Sequence, residues 1–265
     1  MKIGFIGVGN MAKAIIEGIL VAGKISSQDI YIHSAHANNY ENYAKEKKLV
    51  ACADNNEVVQ NSDLVFLAVK PLAAGKILEE IKDNVLEKKV VLVSMLSGVS
   101  IEDLESFVGS DQVELLRIMP NVNVAINQGI TALVGNRSLT DEHYQQAQSI
   151  LGDIGQTIAL KESDFSTFVA LAGSSPAFVY FYIDSMAKAG VKYGLKKDAA
   201  VKIAAQAVLG SAANVLQSSK SPQDLVDDVC SPGGTTIAGL LAMEEAGFMR
   251  AVVKGIDATI AKDQE

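Results

Sequence analysis

Residues 2–6 form a short apolar run, and Gly7-Val8-Gly9-Asn10-Met11-Ala12 follows it directly, opening a segment with helical periodicity over 11–22. A strand, a glycine turn and a helix in that order leave few folds open. In this setting Gly7 makes the tight reversal. Backbone at Gly9 can approach a pyrophosphate, and the small Ala12 brings helix against strand. The first helical amides have no partners inside the helix, so an anion is favoured there. Gly7, Gly9, Asn10, Met11 and Ala12 are therefore the first candidate cofactor residues, for a dinucleotide.

The alternation then repeats. Strand-like runs are expected at 30–33, 50–52, 64–69 and 90–94, with further strands at 114–119 and 130–134. Helical patterns lie between them at 39–47, 72–81 and 100–107, the last opened by Ser100-x-x-Asp103. Residues 55–60 read only as a polar stretch. Continuous apolar runs between helices indicate buried parallel strands in βαβ units.

From residue 163 onward the pattern is helical. Pro176 suits the first turn of a helix capped by Ser175 and running to about Tyr193. A second helix over 197–217 carries a stripe of small residues, Ala200, Ala204, Ala207 and Ser211. Ser221-Pro222-x-Asp224 starts another, and two more follow Thr235 and Gly247. The expected fold class is α/β. A Rossmann-type, mostly parallel sheet domain would span 1–160, and an all-helical substrate-binding and dimerisation domain 161–265. The helix carrying Phe178, Tyr180, Phe181, Tyr182 and Met186 is apolar on most of its circumference and must be covered on several sides. A homo-oligomer is expected over a monomeric bundle.

Net charge is −8 with no basic cluster, which argues against a nucleic-acid or anionic-membrane partner. Lys13 and Glu17 break the first apolar stretch, so it does not read as a signal peptide. Residues 165–183 come nearest to a membrane span, but Gly173-Ser174-Ser175-Pro176 divides them. A cytoplasmic location is expected. Cys52 and Cys230 lack metal-site spacing, so no metal is expected.

The ribose-reading acid of NAD enzymes belongs about 20 residues after the glycine turn, at the end of the second strand. Here the chain reads Ile32-His33-Ser34-Ala35-His36-Ala37-Asn38, without Asp or Glu. A 2′-phosphate meets no repulsion, and Ser34, His36 and Asn38 can donate to it. NADPH is favoured, and an NADH reading stays open. His33 and His36 read equally well as surface histidines. Asn56 joins the candidate cofactor residues. Ala68-Val69-Lys70-Pro71 and Ser97-Gly98 follow strands whose carboxyl ends line the crevice, so Ala68, Val69, Lys70, Pro71, Ser97 and Gly98 complete the set.

In the helical part, Cys230-Ser231-Pro232-Gly233-Gly234-Thr235-Thr236 is the most specific stretch. Its glycines expose backbone amides ahead of a helix N-terminus, and the threonines add hydroxyls. Together they can hold a small carboxylate.

At this point the chain resembles the Δ1-pyrroline-5-carboxylate reductase family. Five blocks carry the resemblance: Gly7-x-Gly9-Asn10-Met11-Ala12, Ala68-Val69-Lys70-Pro71, Arg117-Ile118-Met119-Pro120-Asn121, Gly173-Ser174-x-Pro176-Ala177-Phe178, and Ser231-Pro232-Gly233-Gly234-Thr235-Thr236. The family usually has Thr-Pro where this chain has Val122-Asn123.

The resemblance implies reduction of L-1-pyrroline-5-carboxylate to L-proline with NADPH or NADH. It implies Thr236 and Ser231 as catalytic residues, and Gly233, Gly234, Thr235, Thr236 and Asn121 as substrate-binding residues. It also implies a dimer formed through the helical domain, assembled into larger rings such as a decamer. Two rivals are a β-hydroxyacid dehydrogenase, which would need a lysine early in the long helix, and a non-enzymatic nicotinamide sensor. No lysine occurs in that helix before Lys188.

Overall fold

The structure, a computed structural model, describes residues 1–264, Asn39 by its backbone only. The described chain divides into two compact units. Residues 1–173 together with the segment from 260 onward form the first, and 174–259 the second.

The first unit is built on an eight-stranded sheet in the order β3-β2-β1-β4-β5-β6-β7-β8. The strands are β1 (Ile3–Ile6), β2 (Ile30–His33), β3 (Val50–Ala51), β4 (Leu64–Leu67), β5 (Val91–Ser94), β6 (Leu115–Pro120), β7 (Gly129–Gly135) and β8 (Gly155–Ala159). All pairs from β3 to β6 are parallel, β6 and β7 are antiparallel, and β7 and β8 are parallel. The chain winds outward from β1 to β3, then restarts beyond β1 at β4. The strand order therefore reverses between β1 and β4, which is the switch point where open α/β sheets bind ligands.

Strands β1, β4 and β5 are buried along their whole length, as expected of a sheet covered on both faces. Helices α1 (Asn10–Ala22) and α2 (Ala37–Lys47) lie in the first half of the unit. Ile15, Ile16 and Ile19 of α1 pack with Phe5, Phe66 and Ile118 in one core layer, where the Phe5 and Phe66 rings stack at 4.7 Å. Helices α3 (Asn55–Asn61), α4 (Ala74–Lys88) and α5 (Ile101–Val108) follow. Leu78, Ile81 and Val85 of α4 join Leu67, Leu92 and Leu104 in a second layer.

Close approach fixes the position of α1. A Cβ at Gly18 would lie 3.1 Å from the carbonyl carbon of Val124 and still nearer its oxygen.

Three elements differ from expectation. Residues 55–61 are helical because Asp54 accepts the Glu57 amide at 2.8 Å and Val58 and Val59 are fully buried. Strand β8 was not expected. It lies at the sheet rim, and its residues are at most half-buried, so its sequence carries no apolar run. Helix α6 (Asp141–Gly152), capped by Thr140, precedes it and was not expected either, its signal being the cap and the buried Ala147, Ile150 and Leu151.

Helix α7 (Phe165–Phe168) continues through a π-helical segment, residues 169–173, toward α8 (Ser175–Lys192). Ser175 is already helical rather than the cap. Ser174 holds the cap position without a side-chain bond, because the preceding turn already supplies helical backbone.

The second unit contains α8, α9 (Lys197–Gln217), α10 (Pro222–Val229), α11 (Thr235–Glu245) and most of α12 (Phe248–Asp263). In the small-residue stripe, Ala200 and Ala204 are buried, while Ala207 and Ser211 are exposed. Large apolar side chains stay exposed on every long helix, among them Phe181, Leu209, Leu216 and Met249. Two helical stretches, Glu162–Lys192 and Lys197–Gln217, are long and apolar enough to cross a membrane by length and composition. No such stretch was expected from sequence: residues 173–176 read as a break in the first, which nearly continuous helical backbone carries across, and 197–217 read as a helix with a stripe of small residues.

Candidate active site

A cavity of about 790 Å³ opens at the β1/β4 switch point. Three strand ends meet there: residues 6–10 after β1, 33–35 after β2 and 68–70 after β4. The glycine turn is locked in place. Gly7 has φ +93°, donates its amide to the His33 carbonyl at 2.8 Å, and would carry a Cβ 2.8 Å from the Ala68 carbonyl carbon. Gly9 faces the other way, since a Cβ there would meet no atom within 4 Å.

Helix α1 begins at Asn10 with no side-chain cap and no acid in its first turn. Its first amides thus remain open donors at the positive end of the helix dipole. Backbone exposed over open space, next to uncapped amides, fits the pyrophosphate of a dinucleotide. Lys13, Lys70 and Lys76 add three cations to the lining against one carboxylate, Glu80. Lys70 and Lys76 have no ion-pair partner among the described residues.

The candidate cofactor residues distribute as follows. Gly7, Gly9, Asn10, Ser34, Ala68, Val69 and Lys70 line the cavity together. Ala12 is fully buried behind the turn, and Met11 packs against the core beside it. His36 is exposed at the start of α2. Asn56 stands outside the lining, its side-chain oxygen accepting from Asn84 at 2.6 Å. Its neighbour Asn55 lines the cavity instead and donates to Glu80 at 3.3 Å. Pro71 starts a 3-10 turn outside the lining. Ser97 and Gly98 are exposed on the β5–α5 loop, also outside it, and Ser97 Oγ donates to Asp263 at 2.8 Å.

Sequence reasoning did not select Lys13, Asn55, Lys76 or Glu80, although helical spacing was available as a signal. Lys13 lies one turn beyond Gly9, and Lys76 and Glu80 are one turn apart on α4.

Asn121 follows β6 and is 5% exposed. Its side chain donates to the Ala172 carbonyl at 3.1 Å and accepts from the Ile130 amide at 3.4 Å. Nearby, Arg117 donates to Glu162 at 2.6 Å and stacks on Phe165 at 4.8 Å. The same Glu162 oxygen accepts the Ile101 amide at the start of α5.

Within the second unit, residues 231–236 form a tight turn ahead of α11. Gly234 donates to the Ser231 carbonyl at 3.0 Å, Gly233 adopts φ +66°, and Gly234 caps the helix with no side-chain bond. Thr235 and Thr236 occupy the first two helical positions, both exposed. Uncapped amides and two hydroxyls at a dipole-positive terminus suit a small carboxylate. On α8, Lys188 is paired with Asp184 at 2.7 Å on an exposed face, an unsuitable setting for a catalytic lysine.

Comparison with known proteins gives the family. Residues 162–265 match the family described as pyrroline-5-carboxylate reductase dimerisation, and residues 2–98 match the coenzyme F420-dependent NADP oxidoreductase family. The chain is 36% identical to pyrroline-5-carboxylate reductase of Aquifex aeolicus, covering 99% of this chain and 96% of that protein. It is 36% identical to the Escherichia coli enzyme, covering 100% and 97%. Among solved structures, 1-pyrroline-5-carboxylate reductase from Streptococcus pyogenes aligns with TM-score 0.89 at 40% identity, covering 100% and 98% of the two chains. Pyrroline carboxylate reductase from Plasmodium falciparum, solved with NADP bound, aligns with TM-score 0.90 at 29% identity over 100% and 97%. With a doubly wound nucleotide domain, a dimerisation segment and full-length identity above 30%, this chain belongs to the pyrroline-5-carboxylate reductase family.

Proposed function

We propose that the chain reduces L-1-pyrroline-5-carboxylate to L-proline, with NADPH as the favoured hydride donor and NADH as the alternative. The observation that carries this reading is the switch-point cavity, with its glycine turn, its uncapped helix terminus and three lysines. The substrate follows from the relatives' names. When bound, the reduced nicotinamide supplies a hydride to the carbon of the ring C=N bond, and a proton completes the amine.

The chain's own residues hold the pieces. Gly7, Gly9, Asn10, Ser34, Ala68, Val69 and Lys70 hold the dinucleotide, with Met11 and Ala12 shaping the turn behind them. His36, Asn56, Pro71, Ser97 and Gly98 belong to the same proposed set at its margin. Amides and hydroxyls of Gly233, Gly234 and Thr235 grip the substrate carboxylate. Thr236 Oγ1 hydrogen-bonds the ring nitrogen and passes it a proton from water, with Ser231 setting the turn. Asn121 acts by bracing the β6 end against residues 130 and 172. An imine that arrives protonated needs no strong acid, and the main contribution is positioning.

The apolar helical surface and the dimerisation match make the protein a homo-oligomer, and we assign the larger ring, a decamer, to it as part of this proposal. The proposal places the domain division at 160/161 and the enzyme in the cytoplasm.

A direct test follows cofactor oxidation with pyrroline-5-carboxylate and with 3-hydroxyacids. Thr236→Ala should lower kcat about a hundredfold with cofactor affinity unchanged. Undiminished turnover removes Thr236 from the chemistry, and turnover of hydroxyacids alone removes the imine reading.

A further inference from the structure

The β5–α5 loop, residues 95–100, is fastened at both ends. Met95 donates its amide to the Leu67 carbonyl at 3.3 Å, and Leu96 and Val99 are buried in the second core layer. At the far end the Ile101 amide donates to Glu162 at 2.9 Å, and Ser100 and Asp103 close a capping box on α5. Between these anchors Ser97 and Gly98 are exposed, with Gly98 at φ +70°. The tip is held from far along the chain, since Ser97 Oγ donates to Asp263 Oδ1 at 2.8 Å across 166 residues. Among the described residues this is the tip's one hydrogen bond.

Helix preference does not explain a carboxylate at position 263. Asp263 is the last residue of α12, where unpaired carbonyls make a negative terminus that disfavours an acid. Residues from 260 onward belong to the nucleotide unit, so the bond lies within that unit. With its hydrogen committed to Asp263, Ser97 Oγ has only acceptor capacity left. A nicotinamide carboxamide offers an N–H to such an acceptor.

The switch-point cavity takes in the ends of β2, β1 and β4. Strand β5 is the next in the sheet. A dinucleotide laid across that crevice with its adenosine on the β2 side brings its nicotinamide toward the β4–β5 side. The reacting ring therefore comes to the loop whose tip Asp263 holds.

Resting on the dinucleotide reading above, we infer that Asp263 is a positioning residue: through Ser97 it holds the tip of the β5–α5 loop against the nicotinamide, and so sets the ring for hydride transfer. Asp263 acts through Ser97 and not on the cofactor itself. Affinity comes mainly from the pyrophosphate, anchored at the glycine turn, whereas transfer depends on where the ring stands. A misplacement of about 1 Å can cost a hundredfold in rate. The loss of this bond therefore falls on transfer and spares binding.

The test uses the full chain with NADPH and pyrroline-5-carboxylate. Asp263→Ala should slow single-turnover hydride transfer about tenfold and leave NADPH affinity within about twofold of wild type. It should also shorten the fluorescence lifetime of bound NADPH, because the ring moves more freely. Asp263→Asn keeps an oxygen that accepts from Ser97, and should restore both rate and lifetime. Ser97→Ala combined with Asp263→Ala should be no slower than Ser97→Ala alone, since the two changes remove one bond. Wild-type transfer and lifetime in Asp263→Ala, an asparagine variant no better than alanine, or additive losses in the double variant overturns the inference while leaving the enzyme reading intact. Wild type that binds NADPH but does not oxidise it with this imine overturns the proposed function, and the lifetime of bound NADPH then still decides the role of Asp263.

Discussion

Alanine at Gly7 and alanine at Gly9 should have opposite consequences, one on folding and one on binding. Gly7 sits at φ +93°, where a side chain costs about 1–2 kcal/mol. Its new methyl would also press on the Ala68 backbone, a displacement worth about 1–3 kcal/mol in a packed interior. Together these amount to about 3 kcal/mol, or a drop in Tm of roughly 6–12 °C for a unit of this size. Gly9 has an ordinary φ of −83°, and a methyl placed there would have no atom within 4 Å. Reduced freedom of the unfolded chain and a poorer helix cap nearly cancel there, leaving stability within about 0.5 kcal/mol of wild type. The methyl instead occupies the space where a pyrophosphate approaches backbone, and should weaken NADPH about tenfold or more, at least 1.4 kcal/mol. Circular-dichroism melts and NADPH fluorescence titrations read the two effects. If Gly7→Ala melts within about 2 °C of wild type, or Gly9→Ala binds NADPH as tightly as wild type, the reasoning about this turn is wrong.

Removing the carboxylate of Glu162 leaves Arg117, 7% exposed, without its charge partner. Since Glu162 is itself a third exposed, Glu162→Ala should cost about 2 kcal/mol by urea unfolding, and Arg117→Leu with Glu162→Leu should cost less than that single change. Burial, reinforced by Glu57 and Asp54, pushes the Cys52 thiol up to about 12 from an ordinary value near 9.0. Ellman's reagent at pH 8 should leave Cys52 untouched until the protein unfolds. Because the folded value is the raised one, its contribution to stability is complete below pH 9 and fades as pH climbs toward 12; wild type should lose more stability over that range than Cys52→Ala. The exposed apolar side chains of α8, α9 and α12 predict a thermal midpoint that falls on dilution as subunits separate. A midpoint independent of concentration would contradict the homo-oligomer.

The nucleotide domain was legible because its signals are local. Fully buried parallel strands leave unbroken apolar runs, and the glycine turn sits between a strand and a helix. Residues 55–61 escaped because only Val58 and Val59 reach the core, and the remaining signal was the Asp54 cap with Glu57 three residues on. Strand β8 escaped for the complementary reason, being a rim strand with mixed polarity. Within the site, backbone-determined positions such as Gly7, Gly9 and Ala68 could be read from the motif. For Lys13, Lys76 and Glu80 helical spacing gave a partial signal, but which helix face enters the cavity depends on packing. What fixes the His33 ring was not legible either. Its Nδ1 partner is the backbone of Cys52, 19 residues away, and backbone partners leave no trace in side-chain patterns.

Gly18 shows what such tertiary constraint does to variation. Inside a helix, alanine is preferred to glycine by about 1 kcal/mol, so intrinsic preference would favour replacing it. Yet any side chain there meets the Val124 carbonyl head-on. In a saturation library selected for growth or fluorescence, codon 18 should return glycine alone, while exposed Lys24, just past the helix end, accepts most substitutions. A sequence profile gathered this way would record a steric boundary between α1 and the segment after β6 as a single invariant letter.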